Sequence, residues 1–113
     1  NCVLHYVENN QPCKAGDLIL LDVAAEYANY NSDLTRTIPV SGRFTKRQKE
    51  VYNAVLRIQR EAFKMLRPGV VYFDYQKEIE KLMEKELLGL KLIDKTDIKN
   101  QPKGNPALRK YFY

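Results

Sequence analysis

The sequence predicts an α+β domain in which antiparallel strands carry two helices packed on one face. Three observations predict it. Apolar and other residues alternate from Leu18 to Tyr27, a second run rich in Thr, Ile and Val extends from Asp33 to Val40, and after Gly42 two stretches repeat apolar residues every three or four positions.

The first element is a short strand from Val3 to Val7, ended by a polar turn through Glu8, Asn9, Asn10, Gln11 and Pro12. A hairpin follows. Ile19, Leu21, Val23, Ala25 and Tyr27 form one face of its first strand, and Leu18, Leu20, Asp22, Ala24 and Glu26 form the other. A fold-back near Tyr27 and Ala28 sets Asp22 opposite Asp33. Gly42 closes the return strand, and Thr45 with Gln48 three residues later is a capping-box signature. The helix it opens carries a stripe of Val51, Val55, Ile58, Ala62 and Leu66, widened by Tyr52, Leu56 and Phe63, and stops at Pro68 and Gly69. Asp74 can cap a second helix, whose stripe of Tyr75, Ile79, Leu82, Met83 and Leu87 ends at Gly89. From Leu90 to Asn105 the periodicity fails. Pro102, Lys103, Gly104, Asn105 and Pro106 mark a loop, and Ala107 to Tyr113 begin a further element.

The aspartates in the hairpin carry the chemistry. Two carboxylates facing each other across strands repel, and in a partly covered cleft one must take up a proton unless a cation lies between them. A divalent metal with oxygen ligands resolves the conflict. Leu20, on the face of Asp22, suggests that this face is covered by protein, where an unpaired carboxylate is costly. Aspartates also occur near hairpin turns simply because they favour turns and stay hydrated.

Composition bounds the alternatives. At 113 residues the chain is of one-domain size, and 44% hydrophobic with 29% charged residues is ordinary for a water-soluble domain. No apolar run approaches the roughly 18 residues that span a membrane. The chain has no initiating Met and ends on Tyr111, Phe112 and Tyr113, so residues 1–113 read as part of a domain truncated at both ends. Cys2 and Cys13 have neither zinc-site spacing nor the density of a disulfide framework, which points to a reducing cytoplasm. The net charge of +5 is dispersed among acids: Lys46 with Glu50, Arg57 with Glu61, Lys77 with Glu80 and Lys81 with Glu84 fall at spacings that suit helical ion pairs. That distribution speaks against a nucleic-acid surface.

The segments LHYVENN, GDLILLDVAAEYANYNSDLTRTIPVSGRFT and QKEVYNAVLRIQ, in that order, closely resemble the Xaa-Pro aminopeptidases and, more distantly, the prolidases of the same pita-bread metallopeptidase family. The resemblance covers most of residues 3–70, with a looser fit over 71–89. It implies a partial pita-bread fold of the creatinase and aminopeptidase type. In such enzymes two divalent ions, commonly manganese, are held by two Asp, one His and two Glu. Asp22 matches the Asp that chelates one ion and Asp33 the Asp that bridges both, whereas the His and both Glu, one of them the general base, have no counterpart in this chain. His5, its single histidine, matches a substrate-contacting histidine; without the resemblance, a lone His in a strand is more often structural. Thr35 shares the face of Asp33 by strand parity and resembles a hydrogen-bond partner of the metal ligands, although β-propensity explains Thr35 and Thr37 equally well. Arg36 falls on the opposite face.

The implied reaction is hydrolysis of the peptide bond before a proline in the second position of a peptide substrate, with the chain alone inactive because two aspartates supply too few ligands. Prolidase activity, a metal-free pita-bread module that binds peptides or proteins, and a creatinase-like hydrolase are the alternatives. Keeping both aspartates disfavours the last two. Apolar faces of the half-sheet and first helix left bare would favour self-association into homo-oligomers.

Overall fold

A computed structural model describes residues 6–102 and 104–111. The chain divides near Lys46 into a β unit and a helical unit.

In the β unit, strands β1 (Leu18–Val23), β2 (Glu26–Tyr27), β3 (Tyr30–Asn31) and β4 (Leu34–Pro39) form one long hairpin in two ladders. β1 pairs antiparallel with β4, Leu18 opposite Pro39 and Asp22 opposite Thr35; β2 pairs with β3, Glu26 opposite Asn31 and Tyr27 opposite Tyr30. The chain reverses at Ala28 and Asn29, whose φ values of 51° and 68° are those of the mirror-image turns that match strand twist. Asn29 N–H donates to Glu26 Oε1 at 2.6 Å, securing the reversal. At the open end Asp17 accepts from Lys14 N–H through its side chain and from Val40 N–H through its carbonyl, anchoring the entry to β1. Of the expected first strand, Val3, Leu4 and His5 lie outside the described residues, and Tyr6 and Val7 form no strand.

Both faces of the hairpin are open. Leu20 is 64% exposed, so the protein cover inferred for its face is not supplied by the described residues. A two-stranded ribbon has no second layer of its own, and such ribbons are marginal in water without one.

In the helical unit, α1 spans Lys46–Met65 and begins directly after Thr45, as the capping signature requires. Its packed stripe is rotated from the one expected. Ala54 and Ala62 are buried, with Val51, Ile58 and Met65 half-buried beside them, while Val55 and Phe63 are 60% and 62% exposed. The small side chain of Ala54 gave a weak hydrophobic signal but marks the side that is covered. The chain then turns over Pro68 and Gly69, Val70 N–H donating to the Arg67 carbonyl at 3.2 Å and Gly69 taking φ 88°.

The second helix, α2 (Tyr72–Gly89), starts before the expected cap. Its N-cap is Val71, which offers no side-chain acceptor, and Asp74 lies in the first turn, where its charge complements the helix dipole. Gly89 is still helical. The left-handed residue that ends α2 is Lys91, at φ 57°, with Lys91 N–H donating to the Leu88 carbonyl and Leu92 N–H to the Leu87 carbonyl, both at 3.0 Å. This is a Schellman closure, and its hydrophobic partners Leu87 and Leu92 pack together.

The segment that loses periodicity contributes to the core. Asp94 caps a short helix, α3 (Lys95–Lys99), through a capping box in which Asp97 serves as the reciprocal acid, and a 3-10 turn follows at Ala107–Tyr111. Leu87, Ile93 and Leu108 are buried together, with Met83, Leu88, Leu92 and Ile98 around them. Tyr111 OH donates to the Leu92 carbonyl at 3.1 Å, tying the 3-10 turn to the end of α2.

The ion pairs differ from those expected at helical spacing. Arg57 crosses to Glu86 of α2, Glu61 pairs with Lys64, Lys81 turns back to Glu78, Arg47 takes Glu50, and the Lys77 ammonium lies 4.2 Å from the centre of the Phe73 ring. A guanidinium has the reach and the two-point geometry to prefer a carboxylate on a neighbouring helix.

Candidate metal centre

The hairpin register decides where the two aspartates stand. Pairing runs 22 with 35 and 23 with 34 on one side of the ladder gap, then 26 with 31 and 27 with 30 on the other, so no residue is inserted between the ladders. Counted through the gap, Ala24 stands opposite Asp33. The face of Asp22 therefore reads Leu20 and Thr37, Asp22 and Thr35, Ala24 and Asp33, Glu26 and Asn31. Asp22 and Asp33 share a face, as expected, but they are diagonal neighbours and not directly opposed. The reversal lies one residue later than the sequence suggested, which moves each cross-strand partner by two positions and so preserves its side of the sheet. Diagonal neighbours in an antiparallel pair lie roughly 7–8 Å apart at Cβ or somewhat closer, a span that carboxylates can bridge through a shared ion.

The partner across from Asp22 is engaged with it. Thr35 Oγ1 donates to Asp22 Oδ1 at 3.0 Å. Arg36 stands opposite Leu21, on the other face, and donates from Nη1 to the Thr35 carbonyl at 2.8 Å. Where the ladder lapses beside Asp33, Ser32 takes over: its N–H donates to the Ala25 carbonyl at 2.9 Å, and its hydroxyl accepts from Ala25 N–H at 2.9 Å. Sequence reasoning assigned Ser32 no role. The signal was the register itself, which sets Ser32 opposite Ala25 once the turn is placed at Ala28 and Asn29.

As a donor set the face suits a hard divalent cation, since carboxylates supply both charge and oxygen. It is incomplete by itself. Among the described residues no group of three or more His, Cys, Asp and Glu is placed to hold a metal ion, and transition-metal sites need about four donors including water. His5 lies outside the described residues. Cys13 is a free, exposed thiol. Among the described residues no helix is long and apolar enough to cross a membrane.

The chain matches Metallopeptidase family M24 over residues 1–112. It is 45% identical over 112 residues to Xaa-Pro aminopeptidase 3 of Homo sapiens, covering 96% of this chain and 21% of that protein. It is 48% identical over 68 residues to the Xaa-Pro aminopeptidase of Haemophilus influenzae, covering 60% of this chain and 16% of that one. Among solved structures, the zinc-substituted aminopeptidase P of Escherichia coli in complex with product superposes with a TM-score of 0.77 at 38% identity, over 82% of this chain and 21% of that chain. The aminopeptidase PepP of Pseudomonas aeruginosa gives 0.77 at 39% identity, over the same shares. This chain thus spans about a fifth of the length of such relatives, and its small antiparallel sheet with helices is consistent with a partial pita-bread fold. On the match to nearly its whole length, the chain belongs to metallopeptidase family M24.

Proposed function

We propose that this chain forms part of the catalytic domain of an aminopeptidase that removes an N-terminal residue preceding proline, and that Asp22 and Asp33 are its contribution to a two-metal centre. The observation that carries the reading is the placement of both aspartates on one face of a hairpin, inside a stretch similar to Xaa-Pro aminopeptidases. A like-charged pair kept on one face has a physical reason to persist where a cation joins it. The same pair disfavours a metal-free binding module or a creatinase-like hydrolase, and the relatives cited support aminopeptidase over prolidase.

Asp22 and Asp33 would hold the ions, manganese being the proposed metal, and the metal pair when bound supplies Lewis acidity toward the scissile carbonyl. Asp22 would act as a terminal ligand and Asp33 as the bridge. His5 would orient the peptide beside the bond to be cut, and a glutamate from outside this chain would serve as general base. Proline at the second position gives a tertiary amide without N–H, which ordinary backbone recognition cannot grip. A cytoplasmic setting and self-association through bare apolar faces complete the proposal; mixed surface charge favours neither nucleic acid nor membrane as partner.

Metal analysis and peptide hydrolysis test it. In a protein of the relatives' length containing this chain, Asp22→Ala and Asp33→Ala should each deplete bound manganese and abolish cleavage of an Xaa-Pro peptide, with the fold retained by circular dichroism. Wild-type metal content in either variant would overturn the assignment. The 113-residue chain alone should bind manganese weakly and leave the peptide intact; low-micromolar affinity or turnover would show that the two carboxylates suffice.

A further inference from the structure

Asp22 and Asp33 differ in how their side chains are held. Asp22 stands at the last paired positions of β1, just before the ladder lapses at Ala24 and Ala25, on a face open to water. Packing therefore does little to choose its rotamer. Its side chain has a single hydrogen bond among the described residues, from Thr35 Oγ1 at 3.0 Å. The two residues are directly paired across the strands, so the backbone register fixes the origin of the hydroxyl, and β-branching restricts its χ1. A carboxylate only accepts, so the hydroxyl proton points to Asp22. Asp33 has no hydrogen-bond partner among the described residues, leaving both of its oxygens available.

We propose that Thr35 is a positioning residue whose hydroxyl holds the Asp22 carboxylate in one orientation before a metal arrives. The proposal rests on the metal-centre reading and deepens it: the asymmetry of hydrogen bonding gives the Asp22 carboxylate a pre-set orientation and leaves that of Asp33 to be ordered by the ion. Restricting a ligand in advance lowers the entropy lost on binding, and partners behind metal ligands typically change affinity by about 10–100-fold when removed. The competing explanation is that Thr35 is present only as a good strand former. The two differ in what Val does at this position, since it matches Thr in shape and strand preference but has no hydroxyl.

The experiment is a manganese titration of the 113-residue chain, followed by paramagnetic broadening of assigned amide signals, which registers even millimolar affinity. Thr35→Val and Thr35→Ala should each need about tenfold more manganese to broaden the signals around Asp22 and Asp33, with the cross-strand contacts between Ile19 and Ile38 intact. Thr35→Ser should titrate close to wild type. Wild-type titration of Thr35→Val and Thr35→Ala, or weakening by Thr35→Ser as large as theirs, overturns the role of Thr35 and leaves the metal centre standing. Wild-type manganese content in Asp22→Ala of a protein of the relatives' length overturns the metal centre and the Thr35 role with it, and a wild-type 113-residue chain whose Asp22 and Asp33 signals do not respond to manganese overturns Thr35 as a residue that prepares the carboxylate ahead of the other ligands.

Discussion

Arg57 of α1 and Glu86 of α2 meet at two points, Nε donating to Oε1 at 2.8 Å and Nη2 to Oε2 at 2.6 Å. This fork joins the two long helices on the side where Glu86 is mostly covered and Arg57 is open to solvent. The hydrogen bond from Arg57 holds the Glu86 carboxyl below the usual glutamate value near 4.5, against the opposing effect of partial burial. A carboxyl whose folded value lies below its unfolded one stabilises fully above the unfolded value, and that contribution is lost as pH falls through the folded value. Arg57→Ala and Glu86→Gln should therefore each lower the thermal midpoint by a few degrees at neutral pH, a modest effect because the guanidinium is exposed. The difference from wild type should hold down to about pH 5 and shrink below it. Melting curves from neutral to acid pH check this, and a gap that widened in acid would contradict it.

Asp94 supplies a local test of the segment without sequence periodicity. Its Oδ1 accepts from Thr96 N–H at 2.6 Å and from Asp97 N–H at 2.8 Å, while Asp97 Oδ2 accepts from Asp94 N–H at 2.8 Å. α3 is too short to persist without such caps, and it positions Ile98 against the core. Asp94→Ala should destabilise the helical unit by about 1 kcal/mol in denaturant unfolding, and Asp94→Asn should be nearly neutral.

What was legible in the sequence follows from which interactions are local. The alternation through β1 and the spacing of Ile79, Leu82, Met83 and Leu87 in α2 are set by strand and helix geometry, and in α2 that spacing packs Met83 and Leu87 into the core with Ile79 and Leu82 half-buried beside them. The shared face of Asp22 and Asp33 survived a misplaced turn because the resulting register change is even. Terminations were harder to read. The αL position after α2 falls on Lys91 and not on Gly89, and the N-cap of α2 falls on Val71, so neither end carries its usual residue. The burial of Ile93 and Leu108 depends on contacts between an irregular segment and α2, which no period encodes. The Asp94 and Asp97 box was present in the sequence but uses Asp where Glu or Gln is the familiar partner.

The turn that places the metal face can be tested directly. Ala28 takes a left-handed conformation that disfavours a residue with Cβ by roughly 1–2 kcal/mol, and Asn29 tolerates the same region better. The double substitution Ala28→Asn with Asn29→Gly installs the Asn-Gly dipeptide that this kind of reversal prefers. It should raise the hairpin population without moving its register, read as stronger Tyr27 to Tyr30 cross-strand contacts and slower amide exchange at Ser32. Asn29→Val should do the reverse, because a β-branched residue is strained at positive φ. Unchanged exchange in both variants would mean that the Ser32 and Ala25 clasp alone holds the hairpin.

The helical unit makes a sharper distinction between apolar residues that the sequence treats alike. Ile93 and Leu108 are buried against Leu87, whereas Phe63 is 62% exposed on the far side of α1 from Ala54 and Ala62. Truncating a covered side chain loses both its transfer energy and its contacts, so Ile93→Ala and Leu108→Ala should each cost about 2–5 kcal/mol of unfolding free energy. Phe63→Ser should change it by less than about 0.5 kcal/mol at protein concentrations low enough to keep the chain monomeric, since its ring then stays in water. Denaturant unfolding of the three variants decides the matter. A large loss for Phe63→Ser, rising with protein concentration in the wild type, would show that the exposed stripe is covered by a second copy of the chain in solution, and light scattering on the same samples would then show a species heavier than the monomer.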